Sequence, residues 1–69
     1  MLENKLRLAR VLGGMTQAKL SIESGIHYTT ISRLERGMVR PVRDQGKRIA
    51  KTLRVPIEWL FPEEQKSGK

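Results

Sequence analysis

The 69-residue chain has no cysteine, which excludes disulfides, thiolate metal sites and cysteine nucleophiles. One Trp, one Tyr and one Phe, within a hydrophobic fraction of 38%, leave material for a small aliphatic core and little more. Acid is scarce: seven Asp and Glu stand against fourteen Lys and Arg, and Asp44 is the sole aspartate. With one histidine, His27, and no clustered carboxylate pair, neither an enzyme active site nor a metal or cofactor site is expected, and no small-molecule substrate is implied. No apolar run approaches the roughly 20 residues of a membrane span. The opening MLENKLRLARVLGG lacks the apolar stretch and small-residue cleavage site of a secretory signal. A chain this short has room for one domain.

What is present is positive charge. The net charge is +7, and it is concentrated. Between Arg33 and Arg54 stand eight basic residues, opposed only by Glu35 and Asp44, so this third of the chain carries +6. From Glu58 onward the signs are mixed. One positive surface on a small basic domain implies an anionic partner, with nucleic acid ahead of a membrane surface. The competing interpretation is charge that merely keeps the protein soluble. A membrane role is further disfavoured because the positive residues of the fourth helix lack a broad aromatic and leucine face beside them.

The apolar spacing predicts helices throughout and no strand alternation. The first helix is expected over about Leu2–Leu12, with Leu2, Leu6 and Ala9 on one face and Gly13-Gly14 stopping it. Thr16 fits as the N-cap of the second, with Met15 stapled onto Leu20 and Gly25 as a left-handed end. The third is expected over Tyr28–Arg36, with Ile31 and Leu34 inward and His27 at its N-cap. A fourth over about Val42–Arg54 buries Ile49, Ala50 and Leu53, and Gly46 within it costs up to about 1 kcal/mol. Pro56 suits the first turn of a short fifth helix, PIEWLF. The predicted architecture is an all-α domain over residues 1–61 with a polar tail at 62–69.

The informative stretch is Thr16–Gly37, TQAKLSIESGIHYTTISRLERG: two short helices joined by a tight glycine turn. Small Ala18 and Ser21 are expected to let the helices approach, and Leu20, Ile26, Ile31 and Leu34 to fix their angle. With Leu6 and Arg10 before it, and Pro41 and IAKTLRVPIEWLF after it, the ordered set resembles the lambda-repressor-like helix-turn-helix domains, the Cro/cI-type or xenobiotic-response-element (XRE) family of transcriptional regulators. The resemblance covers about Lys5 to Phe61.

The resemblance implies a compact five-helix domain, helix-turn-helix unit at 16–37, whose third helix enters the major groove of double-stranded DNA. By motif position it implies base contacts from Tyr28, Thr29 and Arg33, and phosphate contacts from Thr16, Gln17, His27, Ser32, Arg36, Arg40 and Arg43. It implies a structural ion pair between Arg10 and Glu35. It implies a homodimer, with Val55, Ile57, Trp59 and Phe61 at the contact, acting as a repressor on a near-palindromic operator in the cytoplasm, bacterial or phage and nucleoid-associated. The family also contains antitoxins and adapters, so a protein-interaction module is the alternative.

Bland interpretations stand beside these roles. Arg33 is alternatively a solvated helix residue. Tyr28 is open between stacking on a sugar, bonding a phosphate, touching a base and closing the core edge. His27 is a cap or a phosphate neighbour. Lys47, Arg48, Lys51 and Arg54 read as a solvated helix face. Trp59 reads as core before dimer contact. Val42 stands where the family has a polar cap, and Arg43 and Gly46 where it has apolar residues, so the fourth helix is expected to start late or pack loosely. The doubled Gly13-Gly14 implies a soft first loop.

Overall fold

The computed structural model describes residues 4–62. Its helices are α1 (Leu6–Leu12), α2 (Gln17–Ser24), α3 (Tyr28–Glu35), α4 (Arg43–Leu53) and α5 (Ile57–Leu60), and no strand occurs among the described residues. Every helix expected from the sequence is present.

Helix α1 starts four residues later than the apolar spacing predicts. Asn4 is the reason: its Oδ1 accepts the Leu6 N–H at 3.0 Å, while its Nδ2 donates to the Leu34 carbonyl at 2.8 Å. The chain entering α1 is thereby tied to the end of α3. Leu2 lies outside the described residues, as does the tail from residue 63. The Gly13-Gly14 link is firmer than expected. The Met15 N–H donates to the Arg10 carbonyl at 3.0 Å, and the Arg10 guanidinium returns a bond to the Met15 carbonyl at 2.7 Å.

The core is aliphatic. Leu6, Leu20, Ile31, Leu34, Ile49 and Leu60 are fully buried, with Ala9, Ile26, Ala50 and Phe61 completing the cluster. Each large side chain so enclosed contributes about 1.5–3 kcal/mol. Leu53, expected inside, is only half-buried against this cluster. Two residues of α5 and its end exchange the roles expected of them. Phe61 is 2% exposed, so its ring belongs to the core and has no surface to offer a second subunit. Trp59 is 37% exposed, so it is not core, and the Lys5 ammonium lies 5.6 Å from its ring centroid.

Helix α4 begins at Arg43, one residue late. The Val42 side chain, at its N-cap, has no oxygen to accept a bond. Only the reverse half of a cap is present, with Gln45 Oε1 accepting the Val42 N–H at 3.2 Å. Gly46 is buried, and the expected looseness is not found there. A Cβ at Gly46 would stand 3.0 Å from Ile57 Cδ1 and 3.8 Å from Phe61 Cδ2. The missing side chain is the seat into which α5 fits. The helix costs itself some propensity at Gly46 and gains the contact that buries Phe61.

Candidate nucleic-acid interface

Helices α2 and α3 meet through a short turn, each helix capped at its start by a side chain. Thr16 Oγ1 accepts the Lys19 N–H at 3.0 Å, closing the start of α2. Gly25 ends it at φ 75°, a conformation that a side chain would strain. Of the small residues of α2, Ala18 is exposed and Ser21 half-buried, and Ser24 is the buried one. It is 7% exposed, its hydroxyl donates to the Leu20 carbonyl at 2.7 Å, and its oxygen accepts the Ile26 N–H at 3.3 Å. One small side chain thus satisfies the turn from within. Over its outer side lies Arg48, whose Nη1 would be 3.4 Å from a Cβ at Gly25. Arg48 also pairs with Asp44, one turn away, at 3.1 Å; both side chains are more than half exposed, so the pair belongs to the solvated face of α4.

Helix α3 is fixed from behind and open in front. Ile31 and Leu34 are fully buried. Thr29, Arg33 and Arg36, at spacings of four and three, form one exposed stripe. Tyr28 is 57% exposed, which removes the core-edge interpretation of its ring, and Ser32, one turn on, is half-buried. The His27 imidazole stacks on the Tyr28 ring, centroids 5.3 Å apart at an interplanar angle of 19°. His27 caps the helix: its Nδ1 accepts the Thr29 N–H at 3.2 Å. At the other end, Arg36 Nε donates to the Ser32 carbonyl at 3.4 Å.

The attachment of α3 to the rest of the domain is electrostatic as well as apolar. Arg10 of α1 and Glu35 of α3 form a forked pair through Nε–Oε2 and Nη2–Oε1, with side chains 12% and 5% exposed. Glu35, chiefly through its hydrogen bond and then through its charge, holds the Arg10 guanidinium above its ordinary pKa, against the opposing effect of burial. Gln17 Nε2 donates to the same carboxylate at 3.1 Å. One Nε2 hydrogen is thereby engaged; the second, and the backbone N–H in the open first turn of α2, are the donors Gln17 has left for the expected phosphate contact.

Between α1, α2 and α3 lies a hollow of about 260 Å³, lined by Arg7, Arg10, Gln17, Ser32, Glu35 and Arg36. Glu35 balances Arg10 inside it, which leaves Arg7 and Arg36, both exposed, as the surplus positive charge. Arg7 escaped the sequence reading. Its signal was its spacing, one turn before Arg10 on α1 and so toward α3. Arg40 and Arg43 are exposed, in the α3–α4 link and at the start of α4. No His/Asp/Glu group suited to a metal occurs among the described residues, and no described helix is long and apolar enough to cross a membrane.

A tight glycine turn, a polar-faced second helix and a buried ion pair behind it define a class of domain. A helix-turn-helix family model matches residues 6–60, and the chain belongs to that family, of the XRE type. Two curated relatives are similar over 65 residues at 31% identity, one from Sinorhizobium medicae (strain WSM419) and one from Rhizobium meliloti (strain 1021). Each is described as an uncharacterised HTH-type transcriptional regulator. The matched region is 94% of this chain and 47% of each relative, so the chain spans about half the length of the relatives it matches.

Proposed function

We propose that the chain is a sequence-specific, double-stranded DNA-binding transcriptional regulator, a repressor that acts as a homodimer on a near-palindromic operator in a bacterial or phage setting. The observation that carries this reading is α3: a helix anchored by Ile31, Leu34 and the Arg10–Glu35 pair, with Tyr28, Thr29 and Arg33 turned outward. A major groove about 12 Å wide admits such a helix. Arg33 is the reader of guanine, because its guanidinium bonds the base bidentately. Thr29 reads the neighbouring base, and Tyr28 reaches a base, sugar or phosphate.

Register comes from the backbone contacts. The Thr16 hydroxyl keeps its hydrogen for a phosphate, since its oxygen alone serves the cap. The first N–H groups of α2, the His27 ring, Ser32, Arg36, Arg40 and Arg43 supply the remainder, and Arg7 joins them from α1. One recognition helix reads few base pairs, so useful specificity needs two copies with half-sites about one turn, ~34 Å, apart. The dimer contact is built from Val55, Ile57 and Trp59, without Phe61.

The test is selection from random duplex DNA at near-physiological salt. An enriched palindrome is expected, and its spacing measures the dimer. Arg33→Ala should weaken binding by about 1–3 kcal/mol and relax one base preference. Equal weakening on every sequence would instead make Arg33 a phosphate contact.

The exposed indole of Trp59 favours a second reading, an antitoxin- or adapter-type interaction module on the same fold. A protein that is monomeric alone, binds DNA without preference and acquires a protein partner through the Trp59 surface would replace the first reading with this one.

A further inference from the structure

The cap of α3 has a chemical polarity. The Thr29 hydroxyl oxygen lies 2.8 Å from His27 Nδ1, and the same nitrogen receives the Thr29 backbone N–H at 3.2 Å. A backbone N–H can only donate, so Nδ1 is an acceptor and carries no proton. The neutral ring then bears its hydrogen on Nε2. Facing an unprotonated nitrogen, the Thr29 hydroxyl donates its one hydrogen inward. The Tyr28 ring, stacked on the imidazole, keeps that nitrogen in place.

We infer that His27 is a specificity-determining residue that acts through Thr29: it consumes the hydroxyl's hydrogen and leaves Thr29 only lone pairs to present to DNA. A threonine hydroxyl that rotates freely serves acceptor and donor bases alike. One locked to Nδ1 does not. In the major groove the donors are the amino groups N6 of adenine and N4 of cytosine, whereas guanine N7 and O6 and thymine O4 only accept. Through its hydroxyl Thr29 therefore takes adenine N6 or cytosine N4 on the strand it reaches, and not guanine N7 or O6 or thymine O4, where two acceptors would meet. This rests on the reading of α3 as the recognition helix. It adds which bases Thr29 takes and which neighbour decides it.

The experiment is the same random-duplex selection on the full chain, run for wild type, Thr29→Val, His27→Ala and His27→Asn, with helix content checked by circular dichroism. Thr29→Val identifies the position by altering the preference at one place in the motif. At that base pair, deleting the amino group on one strand at a time (purine for adenine, 2-pyrimidinone for cytosine) should cost wild type on the order of tenfold more than it costs Thr29→Val, on one strand only. His27→Ala should shrink that cost by freeing the hydroxyl's hydrogen, and leave the Arg33 position intact. His27→Asn, whose carbonyl oxygen accepts both hydrogens, should restore it. A merely capping role would instead have His27→Ala weaken binding to both duplexes alike and leave the cost of the deletion unchanged. A deletion that costs wild type nothing on either strand overturns the inference. So does a cost that His27→Ala leaves unchanged, or a Thr29→Val substitution that alters no position. In each of these the motif itself survives, and with it the reading of α3. Absence of any motif in wild type would instead remove that reading and this inference together.

Discussion

The two ends of the domain are built by different means. The α2–α3 half is closed by polar groups: Thr16, His27 and Ser24 each bond a backbone N–H, and Glu35 gathers Arg10 and Gln17. The α4–α5 half has no polar side-chain oxygen at the N-cap of either helix, and α4 ends on Arg54 at φ 61°. It holds through close apolar fit, with Ile57 and Phe61 seated over Gly46. A reading surface must keep its backbone orientation while staying wet, which directed hydrogen bonds achieve. A supporting end needs only to exclude water, which packing achieves.

That contrast can be broken from either side. The largest effect belongs to the ion pair. Arg10→Met leaves Glu35 buried without its cation, and a loss of about 3 kcal/mol is expected in urea unfolding. A loss below about 1 kcal/mol would mean that the polar half is held by its caps alone. Next comes the packed half. Gly46→Leu forces a side chain into the space of Ile57 and Phe61, at an expected cost of about 1–3 kcal/mol. Amide exchange should quicken in α5 before α3, and uniform acceleration would deny that the halves are separable. The smallest effect is a gain. Arg54→Gly relieves a left-handed residue and should raise stability by up to about 1 kcal/mol, reduced by the extra freedom of the unfolded chain. A measured loss would mean that the Arg54 side chain contributes more than its backbone costs.

The same contrast explains what the sequence made legible. Caps and left-handed ends are local signals, so Thr16, Gly25 and His27 could be assigned from neighbours one to three positions away. The outward α3 stripe followed from helical spacing alone, with Ile31 and Leu34 supplying the opposite phase. What stayed hidden was long-range. Asn4 reads as an ordinary polar residue until the Leu34 carbonyl, thirty positions on, is beside it. Gly46 reads as a flaw until α5 returns to cover it. Trp59 and Phe61 are two positions apart in a four-residue helix and its end, where no periodicity can develop, so their burial could not be phased. Arg7 needed the position of α3 before its charge had a direction.

The half-exposed indole beneath the Lys5 ammonium has a practical consequence, since Trp59 is the chain's sole tryptophan. All indole fluorescence originates from one spot on α5. Any partner that covers that spot strips water from the ring and changes its distance from a fixed cation, so the emission should move to the blue and change in intensity. Binding confined to α3 should leave the colour almost untouched. The protein thus carries an optical reporter that separates assembly from reading, in one cuvette and without a label.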